Sequence, residues 1–294
     1  MSVPPFLLVG YASGVAGVKG QCAEGPLTIM QSTYFADCLA QGLPFQWHST
    51  FYPQPPEQDA EDIVCESAER MARTIDDLVK KKERFCVIGG DHTSALGTFS
   101  GTAAAIREQG DLGLIWIDAH MDSHTPETTE SGRLHGMPLA ALLGYGSPKL
   151  TGIMYPGAKI KPENVCLIGV RSFETAEALF LKDLNVRVYL MEEVNQRGFL
   201  NVLKEARSHV SQRTYGYGIS LDLDSIDPAD APAVGVPEPF GLSGEDVYAG
   251  FALLASDKHL LATEIAEFDP SHDKNKITER LLVSFLEVLA QAPQ

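Results

Sequence analysis

Residues 112–122 read Leu-Gly-Leu-Ile-Trp-Ile-Asp-Ala-His-Met-Asp. The first six form a short apolar run suited to a buried strand, and the last five carry metal-capable side chains at every second position. In extended backbone alternate residues share a face, so Asp118, His120 and Asp122 are expected to point together into one site.

Outward from this stretch, runs of the same kind occur at residues 6–9, 85–88, 164–170, 186–189, 217–223 and 260–266, and a weaker one at 45–49 makes eight strands. Longer amphipathic segments lie between them, at 63–80, 93–108, 175–182, 200–210, 244–255 and 278–289. This alternation predicts an α/β protein with three α/β/α layers and an eight-stranded parallel sheet. The 294 residues contain no linker, repeat or low-complexity tract, and the Pro-rich patch at 52–56 is too short to separate domains. A single domain over 1–294 is therefore expected. In open parallel sheets the reactive groups gather beyond the carboxyl ends of the strands.

Composition narrows the function. A net charge of -16, with a pI near 4.8, repels phosphate backbones and favours cations, which sets nucleic acid aside as a partner. The chain has no long apolar stretch of membrane-spanning length, and residues 1–11 lack both a basic segment and a small-residue cleavage site. A soluble, unexported protein with no membrane partner is expected. The five cysteines, Cys22, Cys38, Cys65, Cys86 and Cys166, are scattered without a CxxC pair. That fits a cytoplasmic location and argues against zinc held by thiolates.

Two further clusters join the first. In Ser220-Leu221-Asp222-Leu223-Asp224 two carboxylates are again spaced by two residues in a largely apolar segment, where they would repel unless something positive lay between them. Gly89-Gly90-Asp91-His92 follows the apolar run 85–88; its paired glycines allow a tight turn or close backbone approach, and it offers His92 as a ligand. Each motif alone is more often an ordinary polar strand end or turn. Together they supply two histidines and four aspartates at strand carboxyl ends. Carboxylates with a minority of imidazole and no thiolate suit manganese, and six ligands suit two divalent ions, whose charge four carboxylates would cancel.

These three motifs, in this order and spacing, resemble the ureohydrolase family of arginases, agmatinases, guanidino-acid hydrolases and formimidoylglutamases. The likeness runs from Gly20-Gln21-Cys22-Ala23-Glu24-Gly25-Pro26 to Glu264-Ile265-Ala266-Glu267-Phe268-Asp269-Pro270, and it implies the arginase-like eight-stranded fold. It implies two Mn2+ ions, with His92, Asp118, Asp122 and Asp224 around one, and His120, Asp118, Asp122, Asp222 and Asp224 around the other. It also implies three roles: Asp122 accepts a hydrogen bond or proton from the attacking hydroxide, Glu267 holds the substrate guanidinium, and His135 shuttles a proton to the leaving amine. A neutral pKa suits His135 to that task.

The stretch between Asp122 and His135 discriminates among members. Its Thr-Pro-Glu-Thr and Ser-Gly-x-x-His-Gly-Met-Pro elements, at 125–128 and 131–138, resemble bacterial arginases, which implies L-arginine as the small-molecule guanidino substrate, split to L-ornithine and urea. Ser131 matches a family contact to the substrate carboxylate. His124 and Arg133 stand where arginases typically carry asparagine. Arg133 has the fork geometry to grip a carboxylate, and Glu174 falls where arginases face the substrate α-amino group. Agmatine, another guanidino acid or a formimino substrate remains open, as does a catalytically silent metal-binding homologue. The resemblance also implies a homo-oligomer, a trimer or hexamer.

Overall fold

The computed structural model describes residues 4–18, 20–53 and 59–291. Most of the Pro-rich patch, and the first three residues of the expected leaderless start, fall outside them.

Eight strands form one sheet: β1 (Phe6–Tyr11), β2 (Phe45–Phe51), β3 (Arg84–Gly89), β4 (Leu112–Ile117), β5 (Val165–Val170), β6 (Arg187–Leu190), β7 (Gly216–Asp222) and β8 (Leu260–Ala266). All neighbours are parallel, in the order β2-β1-β3-β8-β7-β4-β5-β6. Each expected strand is present. The helices are α1 (Gly25–Met30), α2 (Thr33–Ala40), α3 (Ala60–Lys80), α4 (Ser94–Ile106), α5 (Pro138–Leu142), α6 (Pro148–Thr151), α7 (Thr175–Asp183), α8 (Met191–Arg197), α9 (Phe199–Ser211), α10 (Gly244–Leu254) and α11 (Ile277–Gln291). The five that sequence periodicity missed have four to eight residues, too few turns to show a 3.6-residue repeat.

The strands are apolar on both faces because both are covered. Leu8, Ile88, Ile117, Ile219 and Ile265 pack against α2, α8, α9, α10 and α11. Alternate residues, including Val9, Val87, Leu114, Trp116 and Leu167, face α3, α4, α5, α6 and α7 on the other side. Among the described residues no helix is long and apolar enough to cross a membrane.

The strand order creates the place for a site. After β3 the chain passes through α4 to β4, and β7 and β8 later fill the space between those two strands. The carboxyl ends of β3, β8, β7 and β4 are thus four neighbours at the middle of the sheet, where such folds bind ligands.

Helix α4, which begins just after His92, is kept in place by close contact with α3. A Cβ on Gly101 would lie 2.3 Å from the Ala72 carbonyl oxygen, and one on Gly97 2.9 Å from that of Ala68. Backbone cannot yield to such contacts as a side chain can. Gly101→Ala is expected to destabilise the protein by about 1–3 kcal/mol through overpacking, measurable by urea denaturation.

Candidate metal centre

The six expected ligands meet at the ends of β3, β4 and β7. Five are buried and His120 is partly exposed. Their convergence has a different backbone basis from strand alternation. β4 stops at Ile117, and residues 118–122 are irregular, with Asp122 at a φ of 47° in the left-handed region. Asp118 turns its side chain back, and Oδ1 accepts from the His120 backbone N–H at 2.7 Å. β7 ends the same way, with Asp222 Oδ1 accepting from Asp224 N–H at 2.9 Å. These local carboxylate-to-backbone turns stop each strand and turn the second oxygen toward the site.

Two groups result. His92 Nδ1 lies 3.3 Å from Asp118 Oδ2, 3.0 Å from Asp122 Oδ2 and 3.1 Å from Asp222 Oδ2. His120 Nδ1 lies 3.1 Å from Asp224 Oδ2 and 3.5 Å from Asp118 Oδ1. Asp222 therefore groups with His92 and Asp224 with His120, whereas the expected partition put Asp224 around both ions and Asp222 with His120 alone; Asp118 stands between the two groups. The difference follows from the turn: Asp222, the last residue of β7, brings Oδ2 within 3.1 Å of His92 Nδ1, whereas Asp224 lies in the turn beyond and brings Oδ2 within 3.1 Å of His120 Nδ1.

The donor set fits a pair of divalent cations. His92 Nδ1 is fully buried and makes no hydrogen bond, although three carboxylate oxygens converge on it. Burial, with the neighbouring Asp224 and Asp118 charges, pushes the Asp222 carboxyl well up, showing how much negative charge is confined there. A cation between these atoms would resolve both conflicts. The His92 ring is also fixed in plane by stacking on Trp116, at 4.3 Å between centroids, and Trp116 Nε1 donates to Asp118 Oδ2 at 2.8 Å.

Glu267 sits beside this centre, at the end of β8, with a φ of 65°. Its Oε1 accepts from the His92 backbone N–H at 3.0 Å and lies 3.2 Å from His135 Nδ1, while Cys22 Sγ donates to Oε2 at 3.2 Å. The segment at 20–26 thus touches the site through Cys22, a contact that scattered cysteines in the sequence do not reveal. Close backbone approach holds the arrangement together: Gly90 N–H donates to the Tyr11 carbonyl, the Gly90 carbonyl accepts from Glu267 N–H, and a Cβ on Gly90 would meet the Ser13 oxygen at 2.0 Å.

Of the four rim residues, the structure brings two together. His124 Nε2 lies 2.9 Å from Glu174 Oε2 and 3.4 Å from Glu177 Oε2, with Nδ1 3.2 Å from Thr128 Oγ1. Glu174 also caps α7, reciprocally with Glu177. Burial and the hydrogen bond to Glu174 push the Glu177 carboxyl up to about 8. Ser131 and Arg133 are exposed on the following loop; Ser131 Oγ accepts from the Arg133 backbone, and the Arg133 guanidinium pairs with no side chain among the described residues.

A parallel sheet carrying grouped acids and histidines at its central carboxyl edge defines a site able to hold metal, of the kind that metal-dependent hydrolases use. The comparisons narrow that class. The family model described as "Arginase family" matches residues 6–290. The arginase of Bacillus caldovelox is 40% identical over 223 residues, 76% of this chain and 74% of that one. Its solved structure superposes with a TM-score of 0.90 at 32% identity, covering 99% of both chains. An Entamoeba histolytica arginase solved in complex with L-ornithine gives 0.88 at 27% identity, over 99% of this chain and 100% of that one. The chain belongs to the arginase family, and it is a hydrolase of the arginase type.

The His135–Glu267 pair has a measurable signature. Burial alone would lower the His135 pKa; the hydrogen bond and charge of Glu267, with Asp122 and Asp91 behind them, override it and push the ring up to about 9. A raised histidine pKa contributes stability that is fully present below about pH 6.5 and lost as pH rises through about 9. NMR titration of metal-free protein is expected to show that high pKa, and Glu267→Gln to bring it down to the ordinary histidine range or below.

Proposed function

We propose that the protein hydrolyses L-arginine to L-ornithine and urea at a two-manganese centre. The observation that carries this reading is the convergence of three buried carboxylate oxygens on the unbonded His92 Nδ1, beside an acid, Glu267, placed to meet a cation. His92, Asp118, Asp122 and Asp222 would hold one ion, and His120, Asp118 and Asp224 the other. When bound, the ions supply Lewis acidity and positive charge for hydrolysis at neutral pH.

The chain's own residues do the rest. Glu267 offers a buried carboxylate already oriented by three donors, so a guanidinium entering there gains a charge-assisted contact without reordering the acid. Asp122, beside His92 Nδ1 and held in a left-handed turn, is positioned to take a proton during the attack on the guanidinium carbon. His135 is partly exposed yet tied to Glu267, which suits a group that delivers a proton to the departing amine and recovers one from solvent.

The likeness to bacterial arginases and the ornithine-bound relative support arginine as the substrate. His124, Ser131, Arg133 and Glu174 would then read the α-amino and α-carboxylate groups. Their arrangement also favours a second reading. Because Glu174 is paired with His124 while the Arg133 guanidinium is unpaired among the described residues, a guanidino acid without an α-amino group would find a carboxylate receptor but little demand for its missing ammonium. The five thiols are free, in keeping with a cytoplasmic enzyme, and a homo-oligomer, a trimer or hexamer, is part of the same reading.

Manganese-loaded protein incubated separately with L-arginine, agmatine and 4-guanidinobutyrate should release urea chiefly from arginine. Urea chiefly from 4-guanidinobutyrate would establish the second reading, and none from any of the three would overturn both. His135→Ala is expected to lower kcat by about 10²-fold or more while manganese content stays at the wild-type level. An undiminished kcat would remove His135 from the proton path.

A further inference from the structure

One fully buried acid has no part in the chemistry above. Glu264 lies within β8, three residues before Glu267, and among the described residues the two acids share no hydrogen-bond partner side chain. Its Oε1 accepts from the Ser94 hydroxyl, and its Oε2 accepts from Ser220 Oγ at 2.7 Å. Ser94 and Ser220 are themselves fully buried. No arginine or lysine side chain contacts this acid among the described residues. A carboxylate placed in a core in this way is costly, and an apolar residue would serve stability better.

The hydrogen-bond directions show what the acid achieves. Ser220 has one hydroxyl proton and gives it to Glu264, so toward His92 Nε2, 2.8 Å away, it can only accept. With Glu264 accepting from both serines as a carboxylate, His92 donates to Ser220 from Nε2. Its Nδ1 is the atom facing Asp118, Asp122 and Asp222. Trp116 fixes the ring plane, and Ser220 fixes which edge of the ring is turned inward.

We propose that Glu264 is a positioning residue for the metal centre, acting through Ser220 to hold His92 in the tautomer and orientation that present Nδ1 to a divalent ion. The proposal rests on the two-metal reading. A carboxylate behind a liganding imidazole makes it a better donor, and here a serine hydroxyl carries the influence of a carboxylate on one strand to a histidine beyond another. The relay crosses β8, β7 and the segment after β3, so it also ties together the three chain segments whose ends build the His92 half of the site.

Manganese affinity, measured by chelator competition on Glu264→Gln, Ser220→Ala and Ser94→Ala, tests the relay without relying on turnover. Glu264→Gln and Ser220→Ala are expected to weaken binding by about 10- to 100-fold, with the thermal midpoint of the metal-free protein unchanged or raised. Ser94→Ala, which removes a hydroxyl from the same acid without touching His92, should bind within a few-fold of wild type. Wild-type affinity in Ser220→Ala, or an equal loss in Ser94→Ala, would overturn the relay. So would an affinity loss matched by a fall in metal-free stability, since that describes a packing role. If wild-type protein takes up manganese and the variants match it, only this inference fails; if wild-type protein takes up none, the metal centre fails with it.

Discussion

Four aspartates buried beside two imidazoles set the terms for everything around them. Like charges at this spacing raise one another's energy steeply in a medium poorer in water, and the cost is tolerable only where cations complete the cluster. The fold answers with rigidity. The ligands stand at or just beyond the ends of β3, β4 and β7, core strands covered on both faces by helices, and turns closed by aspartate side chains hold the segments beyond those ends.

The same local device recurs where the strands stop. Asp91, Asp118 and Asp222 each turn an oxygen back to the N–H two residues on, so one carboxylate ends the extended backbone and orients itself at once. Two further positions, Asp122 and Glu267, sit in left-handed backbone that side chains other than glycine and asparagine seldom adopt. Such strain is sustained by the surroundings: the Asp122 carbonyl accepts from Leu139 N–H, and Glu267 is held at both its N–H and its carbonyl, by Gly90 and Gly235.

Much of this was readable beforehand, for identifiable reasons. Strands apolar on both faces leave a strong signal, so all eight could be placed to within a few residues, including the weak run at β2. Short helices leave little, and α1, α2, α5, α6 and α8 went unseen. The six clustered side chains were legible because acids and histidines seldom follow apolar runs three times over. Their grouping was not, because it depends on turn geometry after the strand has ended: the alternation argument assumed extended backbone as far as Asp122, whereas β4 stops at Ile117. Glu264 offered a fainter cue, a lone charge in the apolar run Leu-Leu-Ala-Thr-Glu-Ile-Ala, and Ser220 shares a strand face with Asp222. Cys22 offered none, since its contact with Glu267 spans almost the whole chain.

The strand order has a consequence for how the molecule comes into being. Strands β7 and β8 are the last to be synthesised, yet they lie in the middle of the sheet, between β3 and β4. A nascent chain that has reached β6 holds two separate strand groups, β2-β1-β3 and β4-β5-β6, with an open edge on each where the final strands must insert. Until they arrive, His92 and Asp118 belong to different halves of an unfinished sheet. The centre therefore cannot be complete before β7 and β8 have joined the sheet, and these two strands act as the keystone of both architecture and site.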